Sequence, residues 1–493
     1  MRTENYVYTW RNSWKSLYES PWSIFEKFKT ANDILGIDMV RHLGKEEIRN
    51  NRIINSKYFS LLSLSTFDSN QLHKAFGFDL ISYNQKLIDN MIGILPKRHL
   101  YGTGDAWERV YFRDNLYFCL QCLRDGYHCI FHQFKLFHHC PIHKTQLMNC
   151  CPECGVQYEY SLSNESFENL FTCSCGYQYC NRGTLFFDPW KQINQECFDS
   201  AEFKAWVTLT DEHKTRLNKM YFIPDVEFEN HPDSIRYFLH SLGITVECSQ
   251  IHNVVKSSKN INSIKSFDEK EFALKYSKQG SFPNVNEVYI KKIRFDVFQK
   301  EFYQNYKRII ASISKHIRKT ILAQHKSCLK ELIQFNGDKP VCKYAYSYIA
   351  WRRSTQNFNQ FTQVDNFGRP QRLNKSIFEF PPNAPFFREL YMLWEDQLED
   401  ITLWSKAATK WIMNRVIVHV LLHRFNNWLC YSEEYISKNI MPTVPIFDND
   451  HPFFIVLFSN QMNEEFEFHW WSIDNSVLSR SPSENERKST NPN

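Results

Sequence analysis

Residues 119–155 read CLQCLRDGYHCIFHQFKLFHHCPIHKTQLMNCCPECG, and a further Cys173-Ser174-Cys175-Gly176 follows. The run resolves into four short-spaced pairs: Cys119-x2-Cys122, Cys140-x2-His143, Cys151-x2-Cys154 and Cys173-x-Cys175. A turn of this kind lets two thiolates, or a thiolate and an imidazole, converge on one Zn²⁺ at about 2.0–2.3 Å. Pro141, Pro152, Gly155 and Gly176 stand where such turns need them. Eight donors suffice for two tetrahedral sites with every position filled. The expectation is therefore two structural zinc ions, with no open position for a substrate water. A segment this short has little apolar core, so bound metal would supply much of its folding energy.

The spacing leaves the pairing open. Sequential pairing puts Cys119, Cys122, Cys140 and His143 on one ion and the other four on the second; interleaved pairing would exchange pairs. Cys129, Cys150, Cys180, His138 and His139 are alternative ligands, or residues that pack around the ligands. Ten of the 15 cysteines fall between Cys119 and Cys180. That crowding suits metal better than a disulfide framework. The opening MRTENYVYTWRNSW has no apolar run behind its charges, and no stretch reaches a membrane-spanning length of apolar residues. The most apolar segment, Trp411–Phe425, is interrupted by Arg415, His419, His423 and Arg424 and reads as a buried helix. A reducing cytoplasm and no membrane contact are expected.

Outward from the cysteine run, 493 residues call for several cores. The expected class is mainly α, multi-domain, with helix-turn-helix-like helical domains flanking a small zinc-finger module. Residues 1–115 form an N-terminal helical domain. There Ser20 caps a helix with Pro21 in its first position, Ile24, Phe25, Phe28, Ala31 and Leu35 follow at helical spacing, and Gly36 stops it. A second helix is expected near Leu80–Ile94, before Pro96. The zinc module takes 116–182. Residues 183–285 are a mixed segment whose Ser/Lys/Asn-rich end, from Ser249, reads as a linker. Residues 286–477 form a basic C-terminal helical domain, and 478–493 a polar disordered tail.

The cysteine run resembles the zinc module of the TniQ/TnsD family of transposon target-selection proteins. Its CxxC knuckle, aromatic stretch, CPxHxxxL step (Cys140 to Leu147) and CPxCG (Cys151 to Gly155) stand in that family's order. The final pair departs from the commoner CxxCG. Glu19-Ser20-Pro-Trp-Ser-Ile-Phe resembles the family's "ES…SW" opening, and SISKHIRKTILAQHKSC with KYAYSYIAWRR, within 312–353, resembles the C-terminal half of longer members. The resemblance implies a bacterial protein without catalysis of its own. It would choose a site on double-stranded DNA, recruit the transposon's AAA+ ATPase, and meet transposase subunits.

Net charge is only +5, yet between Tyr289 and Lys330 eleven Lys/Arg stand against Asp296 and Glu301. On one helix Arg308, Lys315, Lys319 and Lys326 fall within about 40° of one another, at roughly 100° per residue. Phe302, Tyr306, Ile309, Ile313, Ile317 and Ile321 lie opposite. With Arg318, Arg352 and Arg353, and the aromatics Tyr344, Tyr346, Tyr348 and Trp351, this points to phosphate contact, and the helix from Cys342 could enter a groove. The plainer alternative is a solvated helix face. No GxxxxGK[ST] loop is present, and HVLLH at His419–His423 lacks the Glu of a zinc-protease motif. The carboxylates in 395–400 leave room for a metal-dependent nuclease or transposase, and a zinc scaffold binding only proteins is the third reading.

Overall fold

The structure is a computed structural model. It describes residues 8–49, 59–95, 111–162, 171–180, 192–218, 220–223, 233–246, 254–260, 306, 308–334, 342–356, 406–437, 453–457 and 465–471. It is mainly helical and divides into two compact units, Met1–Met220 with Val226–Gln250, and Tyr221–Asp225 with Ile251–Asn493. The expected helical domain 1–115 and the cysteine module thus belong to one unit.

In the first unit the Ser20 hydroxyl accepts from the Ser23 N–H at 3.2 Å and Pro21 opens the helix Pro21–Asn32. Ile24, Phe25 and Phe28 face inward, fully buried. The stop differs from expectation. Asp33 ends the helix in the left-handed region at φ 51°, a conformation that a short polar side chain tolerates, and Gly36 instead begins the helix Gly36–Leu43. Asp68 and Asp79 cap the helices Ser69–Phe76 and Leu80–Met91 in the same way as Ser20. Pro96 lies outside the described residues.

Glu19 and Ser20 join this helical part to the cysteine run. The Glu19 carboxylate and the Lys27 ammonium are both fully buried, 2.6 Å apart. Glu19 also accepts from the Ser16 N–H (2.8 Å) and the Ser23 hydroxyl (2.6 Å), while Lys27 donates to the Trp14 carbonyl (2.9 Å). Each buried charge is therefore both paired and hydrogen-bonded. Glu19 bridges Cys129 in antiparallel fashion, and the Ser20 N–H donates to the His128 carbonyl. His128 Nε2–H donates to the Tyr117 carbonyl at 2.8 Å, so Nδ1 is the acceptor of the Ser20 hydroxyl, also at 2.8 Å. Nearby, the buried Arg113 donates to the carbonyls of His132, Phe134 and Phe137 at 2.9, 2.9 and 3.0 Å. This fixes the loop between the first two ligand pairs.

In the second unit the helix Lys343–Gln356 packs along Lys406–Ser437. Trp351 Nε1–H donates to the Leu421 carbonyl at 2.9 Å, and the Ser347 and Ser432 hydroxyls meet at 2.9 Å. Val416, Ile417, Val420, Leu421 and Phe425 are fully buried, in agreement with the buried-helix reading of that segment. The expectation of a linker near 249–284 and a purely helical C-terminal region fails in part. Strands β1 (Met220–Ile223), β2 (Val254–Asn260), β3 (Phe453–Leu457) and β4 (Glu465–Trp471) form one sheet in the order β1-β3-β4-β2. The polar VVKSSKN segment is an outer strand, where composition misleads because a neighbour supplies the pairing. Phe454 stands opposite Trp470 and Val456 opposite Phe468. All four join the helical core. His419 stacks on Trp470 with centroids 4.4 Å apart, and burial pushes its pKa down to about 4. The tail 478–493 lies outside the described residues.

Two predictions follow from the Glu19–Ser20 network. Lys27→Met strands a buried carboxylate and should cost about 3–5 kcal/mol in urea unfolding; a near-neutral change would show that Glu19 finds water or another partner. For His128, burial lowers the pKa from 6.5 to about 4. The unfolded chain takes up a proton as pH falls through 6.5 and the native chain does not. Stability is thus full above pH 7 and is lost between about 6.5 and 4, by up to about 3 kcal/mol. Urea midpoints measured across that range should fall more steeply for the wild-type protein than for His128→Gln; parallel curves would place the proton elsewhere.

Candidate metal centres

The four ligand pairs are built on recurring tight turns. Cys119 precedes the short helix Leu120–Arg124, which carries Cys122 in its first turn. At the second pair the Cys140 N–H donates to the Thr145 carbonyl (2.8 Å), and the Lys144 N–H returns to the Cys140 carbonyl (2.9 Å). The third pair repeats this, with Cys151 bonded to Val156 and Gly155 to Cys151. Gly155 adopts φ 73°, and Lys144, its counterpart, is held at φ 57°, a region disfavoured for a side chain with Cβ. The fourth pair is one residue shorter. There the Gly176 N–H returns to the Cys173 carbonyl, with φ 92°, and this tighter turn still delivers both sulfurs. Antiparallel bridges His139–Gln146, Cys150–Gln157 and Thr172–Gln178 close three of the turns as small hairpins.

These turns gather the eight donors into two groups, Cys119–Cys122–Cys140–His143 and Cys151–Cys154–Cys173–Cys175, each with its ligating atoms within 4.8 Å of one another. That is the sequential grouping. None of Cys129, Cys150, Cys180, His138 and His139 belongs to either group. In the first, Cys122 Sγ lies 3.5 Å from Cys140 Sγ, and His143 Nδ1 lies 3.4, 3.3 and 3.8 Å from the sulfurs of Cys119, Cys122 and Cys140. In the second, Cys151–Cys175 and Cys154–Cys173 are 3.9 and 3.6 Å apart. A tetrahedral ion with metal–sulfur bonds of about 2.3 Å sets sulfur–sulfur edges of roughly 3.8 Å. The separations fit an ion at each centre and far exceed a disulfide's roughly 2.05 Å. Each group could hold one metal ion.

The electrostatics agree. Burial raises the Cys122 thiol well above its ordinary range, whereas hydrogen bonds from Cys122 and Cys140 lower Cys119. At Cys173 burial opposes ionisation, yet hydrogen bonds led by the Tyr158 hydroxyl, 2.7 Å from the sulfur, bring the thiol down to about 6. Several thiolates so close together repel one another unless a cation lies among them. Thr145 Oγ1, 3.3 Å from Cys119 Sγ, and the Ser174 N–H on Tyr158 Oη support the ligands from outside.

The basic segment is only partly as expected. Residues 308–319 are helical, with Arg308, Lys315, Arg318 and Lys319 exposed. Tyr306, Ile310, Ile313 and Ile317 are buried, while Ile309 and Ile321 are half-buried. The helix breaks at Thr320 into a 3-10 turn, Ile321–Gln324, so Lys326, though exposed, opens a separate helix, Lys326–Gln334, and is not on the same face. Neither Gly nor Pro marks the break. Phe302 and the 395–400 carboxylates lie outside the described residues. Arg353 is exposed, but Arg352 is not: it is 5% exposed, with its guanidinium on the Tyr348 hydroxyl at 3.0 Å, and burial lowers its pKa. Tyr346, Tyr348 and Trp351 are likewise buried in the packing of Lys343–Gln356. Three of the four aromatics thus build core, while Tyr344 is half-buried. One group escaped the sequence reading altogether: His325, Cys328 and Cys342. The signal was His325-x2-Cys328, a ligand-pair spacing hidden in a basic stretch.

No family model, no curated protein and no solved structure matches the chain. Among the described residues no helix is long and apolar enough to cross a membrane.

Because the two centres share no ligand, their losses should be separable. Cys140→Ser should remove one metal equivalent and expose residues 119–147 to protease, leaving the other centre loaded. Cys154→Ser should do the converse. Elemental analysis with limited proteolysis checks this, and loss of both ions from either single variant would contradict the grouping.

Proposed function

We propose that this chain is a non-catalytic DNA-binding adaptor whose first unit is stabilised by two structural zinc ions. The observation that carries the reading is the pairing of two groups of four ligating side chains, each enough to fill a tetrahedral site, with an exposed basic face on a helix whose other side is buried. Complete thiolate and imidazole sets favour zinc over harder ions and leave it no place for a substrate water. Arg308, Lys315 and Lys319, held on a helix anchored by Ile310, Ile313 and Ile317, suit a phosphate backbone. The resemblance of the cysteine run and of Glu19-Ser20 to the TniQ/TnsD family supports target-site selection in transposition. On that reading the partners are double-stranded DNA, an AAA+ ATPase of the transposon and, through it, transposase subunits, in a bacterial cytoplasm.

The test is a salt titration of duplex binding. Each phosphate contact removed should lower the slope of log K against log [salt] by about 0.9. Lys315→Ala/Lys319→Ala should therefore weaken binding to all duplexes and flatten the slope by about 1.8, while any sequence preference persists. Unchanged affinity and slope in a folded double mutant would sink the basic face as a DNA contact. No duplex binding at low salt would favour a scaffold that binds only proteins, and Mg²⁺-dependent strand cleavage abolished by a single carboxylate substitution would favour a nuclease.

A further inference from the structure

The second unit holds a third cluster of ligating side chains. His325, Cys328 and Cys342, all half-buried, place an imidazole nitrogen and two sulfurs within 4.8 Å of one another. Cys342 Sγ is 3.4 Å from His325 Nδ1. His325 immediately precedes the helix Lys326–Gln334, and its carbonyl accepts the Leu329 N–H at 3.0 Å. Cys342 immediately precedes Lys343–Gln356, and its carbonyl accepts the Tyr346 N–H at 3.0 Å. Two helix starts thus converge where the two sulfurs lie. The imidazole is not free to turn away, because it stacks on Tyr344 with centroids 4.6 Å apart and 29° between planes.

We infer that His325, Cys328 and Cys342 form a third metal site, one that takes a divalent ion of zinc's class. A mixed N/S set of three matches zinc's preferences and excludes magnesium and calcium, which take oxygen. Binding displaces the two thiol protons to solvent and leaves the fourth position to water or an added donor. The ion clasps the start of Lys326–Gln334 to the start of Lys343–Gln356. It thereby fixes the elbow that follows the basic helix 308–319. The inference stands apart from the DNA-binding reading and from the two centres of the first unit, since it rests on other residues.

Metal content of the full chain, purified under reductant and without chelator, tests it. Three zinc equivalents are expected. Cys342→Ser and His325→Phe should each hold two, the phenyl ring keeping the stack on Tyr344 while removing the ligand, and His325→Cys should return to three. Loss of an equivalent here is independent of what Cys140→Ser or Cys154→Ser do, so failure of the first-unit centres would be seen separately. Should a variant not fold, alkylation of the wild-type chain gives the answer: added Zn²⁺ should slow modification of Cys328 and Cys342 and leave the exposed Cys430 unchanged. A metal content untouched by both Cys342→Ser and His325→Phe would overturn the site. So would alkylation rates indifferent to zinc, or a Cys328–Cys342 disulfide persisting under reductant.

Discussion

A carboxylate with no access to water must be answered locally, and at Glu19 the answer organises the first unit. Lys27 neutralises it, Ser16 and Ser23 donate to it, and the Trp14 carbonyl accepts from the ammonium. Satisfying that one charge fixes the segment before the helix, the first two turns of the helix, and the backbone pairing of Glu19 with Cys129. Such a network adds little net stability compared with an apolar replacement, but breaking it is expensive. Its value here is positional: the loop between the first two ligand pairs is held against the helical part before any ion is considered.

The metal centres extend the same logic. Their sulfurs are presented by turns whose geometry is set by backbone bonds and left-handed residues at Lys144, Gly155 and Gly176. Arg113 braces the intervening loop by gathering three carbonyls. The sites are thus held from both sides, by the knuckles that carry the ligands and by buried polar groups that fix the knuckles' neighbours.

Local signals were legible in the sequence and distant ones were not. The eight donors, Ser20 with Pro21, and the apolar Trp411–Phe425 segment all declare themselves within a few residues, because spacing and capping are short-range. The break at Thr320 carries no Gly or Pro, so the basic face looked longer than it is. Arg352 read as a surface cation because its neighbours gave no sign that the Lys406–Ser437 helix packs against its own. VVKSSKN looked like a linker because its strand pairing depends on β4, some two hundred residues later. Cys342 likewise meets His325 only because two helices begin at the same place. In each miss the deciding partner lay beyond the reach of periodicity.

The sequential grouping of the ligands has a consequence for how the chain is made. All four donors of the first centre lie before residue 144, and those of the second lie after residue 150. Neither loop threads the other, so the emerging polypeptide can load its first ion while the ligands of the second are still inside the ribosome. An interleaved arrangement would have kept half-formed thiolate sets waiting for their partners, open to oxidation and to the wrong metal. Here the donors of one group are complete before those of the next begin, so uptake of an ion at each would be able to run in one direction, from the N-terminus outward.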